Sequence, residues 1–277
     1  MVLQQNEWVG YSYRWNDEGT DAYLVDADGD DVSFVVADPN APNGKREQVW
    51  HYPSRAECMV CHSRAANYTL GLQTAQINRV HDYGTFSANQ LAVFEQLGLF
   101  RLNPKAFNPP PATTDSSDAK GSQNNSIEDP DAIKASKLSQ RPIPSETSLL
   151  PASPQHLPKL ANPYDANESL DLRVQSYLHA NCASCHAPAG GGNSAIDLQF
   201  PTPFEKMGLI DIAPKHQDFG IQSAKLITPG HPEQSILLQR IAKRGNGQMP
   251  PIASNIVDQN AVDLIKSWID AIHSNPQ

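Results

Sequence analysis

The sequence predicts a mainly α fold: two helical modules, a small antiparallel β region ahead of them, and a long irregular linker between them. Three observations lead there. Residues 8–52 alternate apolar and polar side chains between turn residues. Residues 103–165 are dense in Pro, Ser, Asn and Asp. Residues 166–277 place apolar residues at helical spacing behind capping residues. The expected segments are therefore a β region at 1–52, a first module at 53–102, the linker at 103–165 and a second module at 166–277.

In the β region, Val9, Tyr11, Tyr13 and Trp15 fall on one face of an alternating strand. Asn16-Asp-Glu-Gly19 reads as a turn, and Ala22–Val25 as a second strand. Asp28-Gly29 is a hairpin signal leading into Val32–Val36. Val49–Tyr52 is a further strand running into the first module. The acidic turn that starts at Asp26 resembles a calcium loop but departs from it: Asp31 and Ala37 stand where Gly and Glu are needed. Met1–Glu7 lacks the basic start and apolar run of an export signal. The chain also enters its first strand almost at once, so further upstream residues are expected.

In the first module, Ser87-Ala-Asn-Gln90 reads as a capping box. Leu91, Phe94 and Leu97 give a helical stripe, stopped by Gly98. The linker contains Pro109-Pro-Pro111, the polar run Thr113–Ser126 and prolines at 142, 144, 151, 154 and 158. This composition favours an extended chain. Leu149, Leu150, Leu157 and Leu160 are apolar enough to dock on a module. In the second module, Leu170, Val174, Tyr177 and Leu178 form a stripe before Cys182. Pro232 starts a helix carrying Ile236, Leu237, Leu238 and Ile241. Asp258 caps a last helix with Val262, Ile265, Trp268, Ile269 and Ile272 on one face.

With 277 residues the chain is long enough for sizeable cores. Its net charge of −9 argues against a nucleic-acid partner. No run approaches the ~20 apolar residues of a membrane span.

The chemistry concentrates in two pentapeptides, Cys58-Met-Val-Cys61-His62 and Cys182-Ala-Ser-Cys185-His186. Together they use all four cysteines. The spacing is that of covalent c-type haem attachment: two thiols bond one porphyrin edge, and the adjacent His is directed under the iron. A four-thiolate zinc site also uses two Cys-x-x-Cys pairs, but these pairs lie far apart in sequence and zinc requires no His after both. A redox dithiol would go with a thioredoxin-like βαβ pattern, which is absent. The expected cofactors are thus two covalently bound haem c groups, with His62 and His186 as proximal ligands.

Distal ligands follow less directly. Met249, in Gln248-Met249-Pro250-Pro251 before the last helix, is the candidate for the second haem; a thioether favours Fe(II). For the first haem the candidates are His51, His81, His179 and Met207. Met59 lies inside its motif and does not easily reach the far face. His179 ranks first, because it lies three residues before Cys182 on a helix whose core face uses Val174 and Leu178. An open first iron stays as an alternative.

At this point the chain resembles bacterial di-haem c-type cytochromes. The resemblance rests on Glu7-Trp-Val-Gly-Tyr-Ser-Tyr-Arg-Trp-Asn-Asp-Glu18, Leu70–Arg79, Asn89-Gln-Leu91 to Gly98-Leu-Phe100, Tyr177–His186, Pro229–Leu237 and Gln248–Pro251. It implies a class I-like cytochrome c domain at the C-terminus and a periplasmic or otherwise extracytoplasmic location. It also implies electron transfer with a redox partner, such as another cytochrome or the quinoprotein sugar dehydrogenases that related modules accompany. An enzyme of peroxidase or oxygenase type is the alternative, with an open first haem and Arg64, Arg79 or His81 as distal polar groups. A haem-based sensor or a dehydrogenase subunit is a third reading.

Overall fold

Deep apolar burial concentrates in the last third of the chain, and the elements before it are short. The computed structural model describes residues 1–39, 41–102 and 149–272. The chain groups into two units: Met1–Gln73 together with Leu160–Gln277, and Thr74–Lys159.

In the first unit, two small hairpins open the chain. Strand β1 (Val2–Gln4) pairs with β2 (Glu7–Val9), and β3 (Tyr13–Trp15) with β4 (Ala22–Leu24), both antiparallel. The single alternating strand expected from Val9 to Trp15 is therefore split, and its halves pair with different partners. The Asn16 turn forms as expected: its side-chain oxygen accepts from the Thr20 and Asp21 N–H groups at 2.9 and 3.2 Å. β5 (Asp30–Ala37) pairs along its whole length with β6 (Lys45–Tyr52). Asp28-Gly29 does not close a two-strand hairpin. Instead Gly29 turns the chain at φ +84, and a Cβ there would lie 2.6 Å from the Tyr52 carbonyl oxygen, so only glycine fits.

Helix α1 (Arg55–Cys61) follows β6 directly and carries the first motif. Its N-terminus is a capping box. Ser54 Oγ accepts from the Glu57 N–H at 3.2 Å, and Glu57 accepts from the Ser54 N–H at 2.9 Å.

In the second unit, α2 (Thr74–Ile77), β7 (Val80–Asp82), β8 (Ser87–Asn89) and α3 (Gln90–Gln96) surround a small core of Ile77, Leu91 and Leu150. Ser87 is strand rather than cap; Asn89 caps α3 by accepting from the Ala92 N–H. Leu91 is buried, Phe94 packs against the cluster, and Leu97 is exposed at the helix end. β9 (Arg101–Leu102) pairs in parallel with β10 (Leu149–Leu150). Leu150 and Leu157 dock on this core, as their apolarity suggested. Asn78, itself buried, holds the returning chain by donating to the carbonyls of Pro154 (2.8 Å) and Leu157 (2.9 Å). Residues 103–148 of the expected linker lie outside the described residues.

The main core belongs to the first unit. It is built by α4 (Leu170–Cys182), α5 (Ile236–Ile241) and α6 (Gln259–Ala271). Ser169 caps α4 and Asp258 caps α6. Val174, Leu178, Ile265 and Ile269 are wholly buried. Trp268 is buried and donates its indole N–H to Asp171 at 2.9 Å, tying α6 to α4. The α6 stripe is centred on Ala261, Leu264, Ile265, Trp268 and Ile269. Val262 and Ile272 lie at its margin. Pro232 begins a 3₁₀ turn ahead of α5.

The mainly α expectation is overturned. Among the described residues helix accounts for 28% and strand for 19%, and the strands pair only in twos. The reason lies in residues 53–102. The helices along that stretch are seven, four and seven residues long. Ordinary helices gain most of their stability from a buried face, and α1 has none. No helix among the described residues is long and apolar enough to cross a membrane.

Candidate cofactor attachment site

Both pentapeptides adopt the same local conformation. In the first, the His62 N–H donates to the Cys58 carbonyl at 3.0 Å; in the second, the His186 N–H donates to the Cys182 carbonyl at 2.9 Å. Each motif is thus one closed helical turn. That turn places the two cysteines (i, i+3) and the first Cys and the His (i, i+4) on neighbouring positions of one face.

His62 is held in the tautomer that a metal ligand needs. Its Nδ1 lies 2.7 Å from the Tyr68 carbonyl. A carbonyl only accepts, so Nδ1 carries the proton and Nε2 keeps its lone pair. Tyr68 is positioned in turn by its N–H on the Ser63 carbonyl at 2.9 Å and by stacking on Trp8 at 5.7 Å. A backbone acceptor behind the imidazole is how ligating histidines are usually oriented.

His186 is the more enclosed of the two. Burial, and then the Arg240 charge, lowers its pKa, which favours the neutral ring. Its Nδ1 is buried without a hydrogen-bond partner. Gly190, Gly191 and Gly192 wrap the motif. A Cβ on Gly192 would lie 2.6 Å from His186 Nδ1, and one on Gly191 would lie 2.6 Å from the Val60 carbonyl. On the other motif, a Cβ on Gly10 would lie 2.6 Å from Cys58 Sγ. These glycines leave room at the sulfurs and the ring that any side chain would take.

Met249 is half-buried on a loop that polar side chains hold in shape. The Met249 N–H donates to the Arg240 carbonyl and the Arg240 guanidinium to the Gly247 carbonyl, both at 3.0 Å. The Gln248 amide donates to Pro250 and Ser254 carbonyls at 2.9 and 3.0 Å.

The candidates for the first distal position fare differently. The two nitrogens of His51 are engaged with Asp31 (2.7 Å) and Glu57 (3.0 Å). Met207 is wholly buried in the main core. His81 is exposed in the second unit, its ring edge on Tyr83 at 4.7 Å. His179 is buried, and its Nδ1 accepts from the Phe200 N–H at 3.1 Å. Its Nε2 therefore carries the proton and lies buried without a partner. Ligation through Nε2 would require the other tautomer and would cost Phe200 its acceptor.

The four cysteines are free thiols. Cys61 and Cys185, one from each motif, perturb each other, which lowers the Cys185 thiol and raises the Cys61 thiol. Burial pushes Cys182 up to about 12. No group of three or more His, Cys, Asp or Glu side chains converges as a metal site among the described residues.

The residues fit a covalently held, axially ligated group on three counts: paired thiols on a closed turn, one imidazole with its ligating nitrogen free, and glycines where side chains would obstruct. Sequence reasoning missed Tyr68, Trp8, Arg240 and the capping pair Ser54 and Glu57. Only the Ser-x-x-Glu spacing and the Gly190–Gly192 run were readable signals. Compared with protein-family models, curated proteins and solved structures, the chain matches none.

Proposed function

We propose that the chain is a di-haem c-type cytochrome that carries electrons between an extracytoplasmic donor, such as a quinoprotein dehydrogenase, and an acceptor protein. The observation that carries this reading is the pair of Cys-x-x-Cys-His turns, with His62 already in the ligating tautomer. Bound haem supplies one-electron Fe(III)/Fe(II) chemistry. Cys58 and Cys61 would hold the first group, and Cys182 and Cys185 the second. His62 and His186 would be the proximal ligands, and Met249 the distal ligand of the second. The Tyr68 carbonyl accepting from His62 Nδ1 raises the basicity of that ligand. The net charge of −9 would speed encounter with a basic partner.

The test is the full chain produced in a host with working haem-attachment machinery. Mass spectrometry should show two added haems, and His62→Ala should remove one low-spin signal. Met249→Leu should abolish a weak long-wavelength charge-transfer band. Absence of covalent haem from correctly exported protein overturns the reading. A high-spin first haem that binds carbon monoxide would shift the function from carrier to enzyme or sensor.

A further inference from the structure

The charge of the chain is unevenly shared. Up to Asp38, Arg14 is the only Lys or Arg and stands against nine carboxylates. Between residues 213 and 256 the balance reverses: Lys215, Lys225, Arg240, Lys243 and Arg244 stand against Asp218 and Glu233. Both stretches belong to the first unit.

Phe219 gathers two of these cations beside the Met249 loop. The Arg240 guanidinium carbon lies 5.1 Å from the centre of its ring, and the Lys243 Nζ lies 4.6 Å from it. Gly247 packs on the same ring: a Cβ there would lie 2.9 Å from a ring carbon, so the Met249 and Phe219 loops meet. Lys215 is exposed on the Phe219 loop. Arg240 and Arg244 are held by backbone carbonyls, Arg240 by Gly247 at 3.0 Å and Arg244 by Ile241 at 3.1 Å and Ile256 at 2.5 Å. A carbonyl fixes a guanidinium without cancelling its charge. Among the described residues, none of Lys215, Arg240, Lys243 and Arg244 forms an ion pair with a carboxylate. Glu233 lies 3.2 Å from His231, and the exposed Asp218 accepts from the Gly220 N–H at 2.9 Å.

We propose that this face, made by the Phe219 loop, the end of α5 and the Met249 loop, docks a carboxylate-rich face of a partner protein. The ring attracts each cation, but the two cations repel one another. Facing carboxylates would relieve that repulsion, and side chains already held on a ring and on carbonyls lose little freedom on docking. Complementary charge of this kind steers encounter and fixes register. A carrier meets two proteins, a donor and an acceptor. The net charge of −9 suits a basic one, and this face selects an acidic one. That the face serves electron exchange at the second motif rests on the proposed haem attachment; its charge does not.

The test is binding of a fluorescein-labelled polyglutamate peptide to the full chain, followed by anisotropy at low and at physiological salt. The peptide should bind despite the negative net charge, and salt should weaken it. Lys215→Glu/Lys243→Glu should weaken binding about fivefold or more, since one exposed ion pair contributes up to about 1 kcal/mol. Lys45→Glu/Lys266→Glu makes the same change in net charge at exposed lysines on β6 and α6 and should leave binding within about twofold. Urea unfolding checks that each variant folds, and Lys215→Gln/Lys243→Gln replaces the first if it does not. No binding, or equal loss in both double variants, overturns the proposal. So does tighter binding to vesicles of equal parts phosphatidylglycerol and phosphatidylcholine, which would assign the face to a membrane. If the chain never takes up haem but still binds the peptide through these lysines, the cytochrome reading falls while the docking face stands.

Discussion

Helix α4, which ends in Cys182, buries Val174, Tyr177 and Leu178 in the main core; α1, which ends in Cys61, buries none of its residues. The two motifs have the same spacing and close the same helical turn, yet different forces hold them. The second is fixed by apolar burial and the first by polar partners: a capping box, the Tyr68 carbonyl behind His62, and His51 between two carboxylates. A five-residue motif therefore sets the local geometry of its cysteines and histidine. What keeps that turn in place comes from residues outside the motif.

The contrast is broken most strongly at the core. Leu178→Ala removes a wholly buried side chain between α4 and its neighbours. It should cost about 2–5 kcal/mol in urea unfolding followed by tryptophan fluorescence. A loss below about 1 kcal/mol would show that the second motif does not depend on this core. Gly10→Ala comes next. The new Cβ would sit 2.5 Å from the Cys58 Cβ, so the segment before β3 must shift away from α1. Overpacking of this kind costs roughly 1–3 kcal/mol. The same variant should slow alkylation of Cys58 and leave Cys182 unchanged.

Ser54→Ala sharpens the comparison on the polar side. Losing the cap on α1 should cost about 1 kcal/mol, and amide exchange should quicken at Glu57 and Cys58. The same substitution at Ser169, where the cap serves a helix already held by burial, should leave exchange near Cys182 almost unaltered.

The smallest effect is on pH dependence. Hydrogen bonds to Asp31 and Glu57 raise His51 above its ordinary 6.5. Hydrogen bonds from the Ser54 N–H and His51 lower Glu57 from 4.5 to about 2. The His51 contribution is full below 6.5 and is lost as pH rises through its raised value. The Glu57 contribution is present above 4.5 and is lost as pH falls toward about 2. Their joint stabilisation is greatest between about 4.5 and 6.5. Thermal unfolding at pH 5.5 and pH 8 should show a modest advantage at pH 5.5 that His51→Gln removes. Both side chains are more than a third exposed, so screening keeps the effect small. An undiminished advantage in His51→Gln would place its source elsewhere.

Local signals carried the parts of the fold that depend on neighbouring residues. The Asp258 cap, the stripe ending at Cys182 and the Asn16 turn were legible because each is decided within a few residues. The Val9–Trp15 strand and the Asp28-Gly29 hairpin were misread because strand pairing is a choice among distant partners, and alternation does not name the partner. The mainly α expectation failed for a related reason. It weighted the helical spacing of residues 166–277 and took the first motif to be equally helical.

By itself the sequence determined the two Cys-x-x-Cys-His turns, the caps and apolar faces of the long helices, and the acidic balance of the chain. These follow from side-chain chemistry and helical period, which act over a turn or two. Only the tertiary structure decided that Tyr68 orients His62, that His51 and Met207 are engaged elsewhere, and that the Cys185 sulfur lies 3.8 Å from the Val60 carbonyl. Those contacts join residues whose separation along the chain carries no periodic signal. They arise from how the hairpins, α1 and the glycine-rich loop after Cys185 pack within one unit.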